Sequence, residues 1–94
     1  MNNHYSVRKR YKVVFVRANC IGAGSCAAIF PRRWVMNNAD DKVDLIGGKK
    51  DEKNQEIWAL EFTLEELEDF KSSAEVCPVQ VIHIYDLETG EKLI

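Results

Sequence analysis

The sequence predicts a single α+β domain in which short strands alternate with two helices. Three observations predict it. The chain has 94 residues, a length that buries only roughly 60–65% of the unfolded surface and does not divide into two cores. Several short runs are rich in β-branched and aromatic residues between turn signals. One segment, from Thr63 to Glu75, has helical apolar spacing behind a helix-start signature.

Residues Lys12 to Arg17 read as the first strand, and a compact loop follows from Cys20 to Cys26. Ser25 to Phe30 has room for a short helix only, which Pro31 ends because proline disfavours helical geometry in the residue before it. Trp34-Val35-Met36, Val43 to Ile46 and Ile57 to Phe62 are expected as strands. The last two are expected to form a hairpin across Gly47-Gly48, with a mobile polar tip from Lys49 to Gln55. The second helix is expected from about Leu64 to Glu75, with Thr63 and Glu66 as a capping box and Phe62 stapled onto Leu67. Leu64, Leu67, Phe70 and Ala74 then share an inward face, while Glu65, Glu68 and Asp69 face solvent. Beyond Cys77-Pro78, the alternation Val81 or Ile82, Ile84, Leu87 indicates a strand. Asp86 to Gly90 with Glu91 to Ile94 closes a C-terminal hairpin in which Gly90 is left-handed. The aromatics Trp34, Trp58 and Phe62 are assigned to the core. Residues 1–94 form one domain, of which 1–11 is expected to be a frayed basic N-terminus.

Composition excludes several function classes. Apolar residues make up 46% of the chain and charged ones 30%, the balance of a globular protein and not of a disordered tail. No apolar run approaches the roughly 20 residues that span a bilayer, and the start lacks the basic-then-apolar order of a secretory signal, so no membrane and a cytoplasmic location are expected. Arg8, Lys9, Arg10, Lys12, Arg17, Arg32 and Arg33 precede the first acid, Asp40, and all 15 acids lie from there onward. No aromatic-interleaved or recognition-helix pattern accompanies this basic start, which argues against nucleic acid as the partner. Three cysteines are an odd count, a poor fit to a disulfide framework and a better one to metal or redox chemistry.

The informative stretch is Cys20-Ile21-Gly22-Ala23-Gly24-Ser25-Cys26-Ala27-Ala28-Ile29-Phe30-Pro31, with Cys77-Pro78 far downstream. From about Lys12 to Asp86 the chain resembles the bacterial-type ferredoxins, whose run is Cys-x2-Cys-x2-Cys-x3-Cys-Pro and whose fourth cysteine, in two-cluster members, ligates the other cluster. Cys20 and Cys26 take the first and third positions, Ala23 the second, and Phe30-Pro31 stands where the fourth cysteine and its proline would be. Counting back from Cys77 by the same spacings reaches Ser73, Phe70 and Leu67. Packing side chains thus stand in the place of a second cluster. The resemblance implies a ferredoxin-like α+β sandwich, an antiparallel sheet with two helices, an extra hairpin before the second helix and a C-terminal hairpin. It further implies a single iron–sulfur cluster on Cys20, Cys26 and Cys77 and one-electron transfer between small redox proteins.

Elementary chemistry agrees with that reading. Iron in such clusters takes soft thiolate donors at separated corners, which a wrapping loop and one distant cysteine can supply. Gly22 and Gly24 suit a loop that must bring backbone N–H groups close to sulfur. Pro78 turns the chain away into the last strand, and Ile21, Phe30, Val79 and Val81 are candidates for an apolar wall. Buried structural thiols are the bland alternative. Zinc on the three cysteines and a histidine is another, although His83 is expected on the solvent side of its strand and His4 lies in the N-terminal tail.

Alanine has no lone pair, so Ala23 leaves one corner without a protein ligand. Either the centre is a [3Fe-4S] cluster, or a [4Fe-4S] cluster holds its fourth iron with water, hydroxide or an exogenous thiol. The three-iron form is favoured because thiolate ligation normally holds each iron, and single-cluster ferredoxins serving haem monooxygenases look similar. Ser25 and Asn19 are nearby oxygen donors at the wrong spacing. The expected function is that of a monomeric electron carrier and not an enzyme, with a reductase and an electron acceptor such as a haem monooxygenase or oxidoreductase as partners. The acidic Glu65 to Asp69 face or the basic groups would steer docking. The alternative is an iron- or redox-sensing cluster protein that binds a partner or nucleic acid.

Overall fold

Along Tyr11–Val16 the residues alternate strictly between buried and half-buried, the period-two signature of a strand with one face on a core. The computed structural model, which describes residues 9–54 and 56–94, places this strand, β1, in the interior of a four-stranded antiparallel sheet. The other elements are α1 (Ser25–Ile29), β2 (Trp34–Asn37), β3 (Lys42–Leu45), β4 (Lys49–Lys50), β5 (Ile57–Phe62), α2 (Leu67–Val76) and β6 (Ile82–Asp86). The sheet order is β4-β5-β1-β6, and β2 pairs with β3 in a separate small ribbon. Tyr11 lies opposite Phe62 and Asp86, and Phe15 lies opposite Trp58 and Ile82. The two helices pack on each other, with α2 also against β6 of the sheet and α1 against β2, and Val13, Phe15 and Ile84 of the sheet are fully buried. This is the expected α+β architecture of antiparallel sheet and two helices.

The positions that the cysteine spacing assigns to a second cluster are occupied by a dry aromatic cluster. Phe30 and Phe70 meet edge to face with ring centroids 5.0 Å apart, and Phe70 also contacts Phe62 at 4.3 Å and Trp34 at 6.0 Å. Phe70 and Ser73 are fully buried, and the Ser73 hydroxyl is satisfied by donating to the Asp69 carbonyl at 2.7 Å. Leu67 packs against the same core. Offset and edge-to-face aromatic pairs add roughly 0.5–1.5 kcal/mol each beyond the area they bury. α2 is therefore anchored by side chains at the very spacings where thiolates stand in a two-cluster chain.

Six expectations need correction. The hairpin assigned to Val43–Ile46 and Ile57–Phe62 does not form. β3 pairs instead with β2, with Trp34 opposite Leu45, and β5 takes β4 as its neighbour, with Lys49 opposite Ala59. The reason is the turn over Asn38–Asp41: the Asn37 side-chain oxygen accepts from the Ala39 N–H, the Asp41 N–H donates to the Asn37 carbonyl, and Asp41 takes a positive φ of 58°. Asx geometry of this kind closes a ribbon locally. It follows that Lys49 and Lys50, expected in a mobile tip, belong to a strand, whereas Gln55 of that tip lies outside the described residues.

The capping box of α2 is likewise absent. Thr63 makes no side-chain cap, and Leu64–Glu66 form a 3₁₀ turn. The Glu66 carboxylate is committed to Arg33, accepting from Nε at 2.7 Å and from Nη2 at 3.0 Å, while Arg33 Nη1 donates to the Ile46 carbonyl. A bidentate charge-assisted pair outcompetes a neutral cap. The tighter turn also swings Leu64 out to 67% exposure, off the apolar face expected for it. Leu87, expected to continue the alternation of β6, is exposed, because Asp86 takes the inward position with its carboxylate on Arg10 at 2.8 and 3.2 Å. That same pair overturns fraying as far as residue 11. Arg10 is tied to Asp86 and, through its carbonyl, to the Leu87 N–H, and Tyr11 is buried against Phe62. Residues 1–8, including Arg8 and His4, lie outside the described residues. The C-terminal hairpin is present as a short closure, with Gly90 at φ 76° and a bridge between Tyr85 and Lys92.

Phe70→Ala should cost about 3–5 kcal/mol, the range for emptying a fully buried phenylalanine site, which is a large part of the stability of a domain this small. A shift of the urea midpoint by less than about 1 kcal/mol equivalent would show that the aromatic cluster is not the anchor of α2.

Candidate metal centre

The site is assembled from three pieces of backbone. β1 ends in a 3₁₀ turn, Arg17–Asn19, and hands the chain to Cys20, whose N–H donates to the Arg17 carbonyl at 3.1 Å. The loop then runs through Gly22 and Gly24, and α1 begins at Ser25 with Gly24 as a left-handed N-cap at φ 81°. Cys26 sits in the first turn of α1 and is 7% exposed. Cys77 arrives from the other side as the C-cap residue of α2 in extended geometry. Gln80, at a positive φ of 51°, completes the turn, and the Val81 carbonyl accepts from the Val16 N–H at 2.9 Å, which fastens this turn to the end of β1.

These pieces enclose one small hollow of about 20 Å³ lined by Cys20, Ile21, Gly22, Ala23, Gly24, Ser25, Cys26, Val43, Cys77, Pro78 and Val79. All three cysteines are free thiols. The sequence therefore located every cysteine of the site and the loop glycines, and the fold brings them to a single place with Ala23 on the same wall. Ile21 and Val79 line the hollow as expected. Phe30 and Val81, expected there too, do not: both are buried in the core, Phe30 because it is held edge to face by Phe70. Val43 supplies the wall in their stead. Ser25 is at the hollow and Asn19 is not. His83 lies on the opposite face of β6 from Ile82 and Ile84 and lines a different depression with Glu75 and Lys92.

The Cys26 thiol is pushed up to about 11, first by burial and then by the neighbouring Cys20 and Cys77, while N–H groups of Ala27 and of Cys26 itself pull the other way. At neutral pH the thiol of the metal-free protein is protonated, and any metal that binds there displaces that proton. No three His, Cys, Asp or Glu side chains among the described residues are grouped closely enough for a single ion.

The β2–β3 ribbon, which carries no cysteine, shapes the loop. A Cβ on Gly22 would stand 1.8 Å from the Asp41 carbonyl oxygen, so only glycine fits there, and its φ of 70° is one that side-chain-bearing residues rarely adopt. Met36 lies beside both Gly22 and Gly24. Lys42 Nζ donates to the carbonyls of Arg17 at 3.2 Å, Ala18 at 2.7 Å and Cys20 at 2.9 Å. Arg17 reaches back to the ribbon, pairing with Asp40 at 2.6 Å and Asp44 at 2.9 Å, donating to the Val43 carbonyl, and lying over Trp58 at 5.4 Å. The Arg17 guanidinium holds the Asp40 carboxyl below its ordinary 3.8. Sequence reasoning missed these ribbon residues, since charged residues in a short strand read as a solvated face.

Three of the six described basic groups that precede Asp40 are engaged inside the fold. Arg10, Arg17 and Arg33 are in ion pairs with Asp86, Asp40 and Glu66. Lys9 and Lys12 border a separate depression with Lys49. Glu65, Glu68 and Asp69 are exposed on α2 and its preceding turn, as expected.

Two measurements test this geometry. In metal-free protein at pH 8, iodoacetamide should modify the half-buried Cys20 and Cys77 before Cys26, as read by peptide mass mapping; Cys26 reacting first would contradict its burial. The Arg17–Asp40 pair contributes stability that is complete above pH 3.8, the unfolded value, and is lost as pH falls through the lower folded value. Urea midpoints should therefore drop more steeply below pH 4 in the parent protein than in Asp40→Asn, and parallel curves would show that the pair adds nothing.

No curated protein matches the chain. Residues 13–84 match the family described as 4Fe-4S single cluster domain, a span that runs from β1 through β6 and takes in all three cysteines. The chain belongs to that family of single-cluster iron–sulfur domains.

Proposed function

We propose that this protein is a one-electron carrier whose single iron–sulfur cluster is held by the thiolates of Cys20, Cys26 and Cys77. The observation that carries the reading is the convergence of these three side chains, and no other ligating side chain but the Ser25 hydroxyl, on one hollow with Ala23 in its wall. When bound, such a cluster supplies a centre that takes up and returns one electron. The chain's own contribution is to hold three thiolates on elements fixed by the sheet, to keep water back with Ile21, Val43 and Val79, and to leave the rim thin at Gly22, Ala23 and Gly24, where a partner can approach. Ala23 offers no donor, which favours [3Fe-4S] over [4Fe-4S] with an exogenous fourth ligand.

The lining supports a carrier and not an enzyme. It contains no histidine, no carboxylate and no other charged side chain, so nothing at the hollow can hold or move a proton for a substrate apart from the thiols and one serine. Electron exchange needs only proximity, and a reductase and an acceptor such as a haem monooxygenase or another oxidoreductase are the partners we propose. A sensor that binds nucleic acid finds less support, because Arg10, Arg17 and Arg33 are engaged in internal pairs. No helix among the described residues is long and apolar enough to cross a membrane.

Electron paramagnetic resonance of anaerobically purified protein tests the iron count. An oxidised three-iron centre has an odd number of electrons and gives a signal as isolated, whereas the usual oxidised four-iron centre is silent and gains one on reduction. We expect the first pattern, and we expect Ala23→Cys to convert most of the protein to the second. A signal only after reduction in the parent protein would reverse the assignment. Absence of brown colour after iron and sulfide reconstitution would remove the carrier altogether.

A further inference from the structure

Lys42 makes contacts unlike those of any other charged residue among those described. Its ammonium has three N–H donors, and three backbone carbonyls, those of Arg17, Ala18 and Cys20, receive them. These carbonyls belong to a 3₁₀ turn and the residue after it, and that of Arg17 also accepts from the Cys20 N–H. One of the three is the carbonyl of Cys20 itself. The residue before Lys42, Asp41, presses its own carbonyl against Gly22. Two consecutive ribbon residues thus grip the loop on both sides of Cys20.

The charge of Lys42 is also differently balanced from that of its neighbour. Arg17 is met at contact distance by Asp40 and Asp44. Lys42 is in an ion pair with no carboxylate among the described residues, its donors being used on neutral carbonyls, although Asp40 lies near enough to feel it. Lys42 stands outside the hollow's wall, and the wall itself carries no Lys, Arg, Asp or Glu side chain. Lys42 is then a cation fixed on the carbonyl of Cys20, with no carboxylate in an ion pair with it among the described residues.

We infer that Lys42 is a positioning residue for the cluster: its grip sets the Cys20 side of the loop, and its charge favours the reduced, more negative state. This rests on the proposal that Cys20 is a ligand. A fixed cation close to the site stabilises whichever state carries the extra electron, and in a partly buried setting the effect is larger than in water.

The test is the midpoint potential of the loaded protein, titrated anaerobically with dithionite and mediators and followed by absorbance and paramagnetic resonance. Lys42→Met should lower the ratio of reduced to oxidised cluster at a fixed potential about tenfold, a shift of about 59 mV for one electron. Lys42→Gln, which keeps a donor and drops the charge, should shift it similarly while loading more iron per chain than Lys42→Met. Lys42→Arg should stay within about threefold of the parent ratio, the difference left by moving but not removing a charge. If Lys42→Met does not load, Lys42→Gln carries the comparison. Arg33→Ala serves as the control, since it weakens the fold away from the loop and should leave the potential unchanged. Potentials within twofold of the parent ratio for Lys42→Gln, or an Arg variant as low as the Gln variant, would overturn the inference. A parent protein that takes up no cluster would instead sink the carrier reading on which it rests.

Discussion

The contact between Gly22 and the Asp41 carbonyl is the constraint on which the site depends. A backbone pressed this closely onto another leaves no room for a side chain, so the cysteine loop has one conformation available while the ribbon stays in place. The ribbon is in turn held by Arg17, which leaves the end of β1 and takes Asp40 and Asp44. The chain of dependence is circular. β1 positions Arg17, Arg17 positions the ribbon, and the ribbon returns to shape the loop that follows β1. A site built in this way is preorganised by backbone and charge before any metal arrives, which is the condition for holding donors without strain.

The second half of the chain carries packing side chains at the spacings where a two-cluster chain would carry cysteines. Leu67, Phe70 and Ser73 of α2 meet Phe30 of the first half there, with three aromatic contacts on Phe70 alone. α2 is thus anchored by packing that does not depend on redox state. Cys77 caps the C-terminus of the same helix whose buried face runs along its length.

Much of this was legible in the sequence, for reasons that differ from residue to residue. Cysteine spacing is rigid chemistry, so Cys20, Cys26, Cys77 and the Ala23 position could be read directly, as could Phe30 and Phe70 as their apolar counterparts. Strand pairing was less accessible. Val43–Leu45 carries the same composition whether it pairs forward or back, and the deciding signal was the Asn37-Asn38-Ala39-Asp40-Asp41 turn, whose Asx chemistry outweighs the glycine pair downstream. The capping box at Thr63 failed because Glu66 had a better partner 33 residues away in Arg33, and no local pattern reports a long-range ion pair. Lys42 was invisible for the same reason: a lysine in a short polar strand is ordinarily solvated, and only the fold brings three carbonyls to it.

The shortness of β4 has its own consequence. The sheet ends there in a strand of two residues, Lys49 and Lys50, both exposed. An incoming strand would find two hydrogen-bonding residues and two ammonium groups to desolvate, a poor template for edge-to-edge growth. Lys50 also lies over the Trp58 ring at 5.4 Å, on which Arg17 lies as well. Lys50, one of the two residues that stop the sheet, therefore joins Arg17 in shielding one of its aromatic side chains from becoming an adhesive surface.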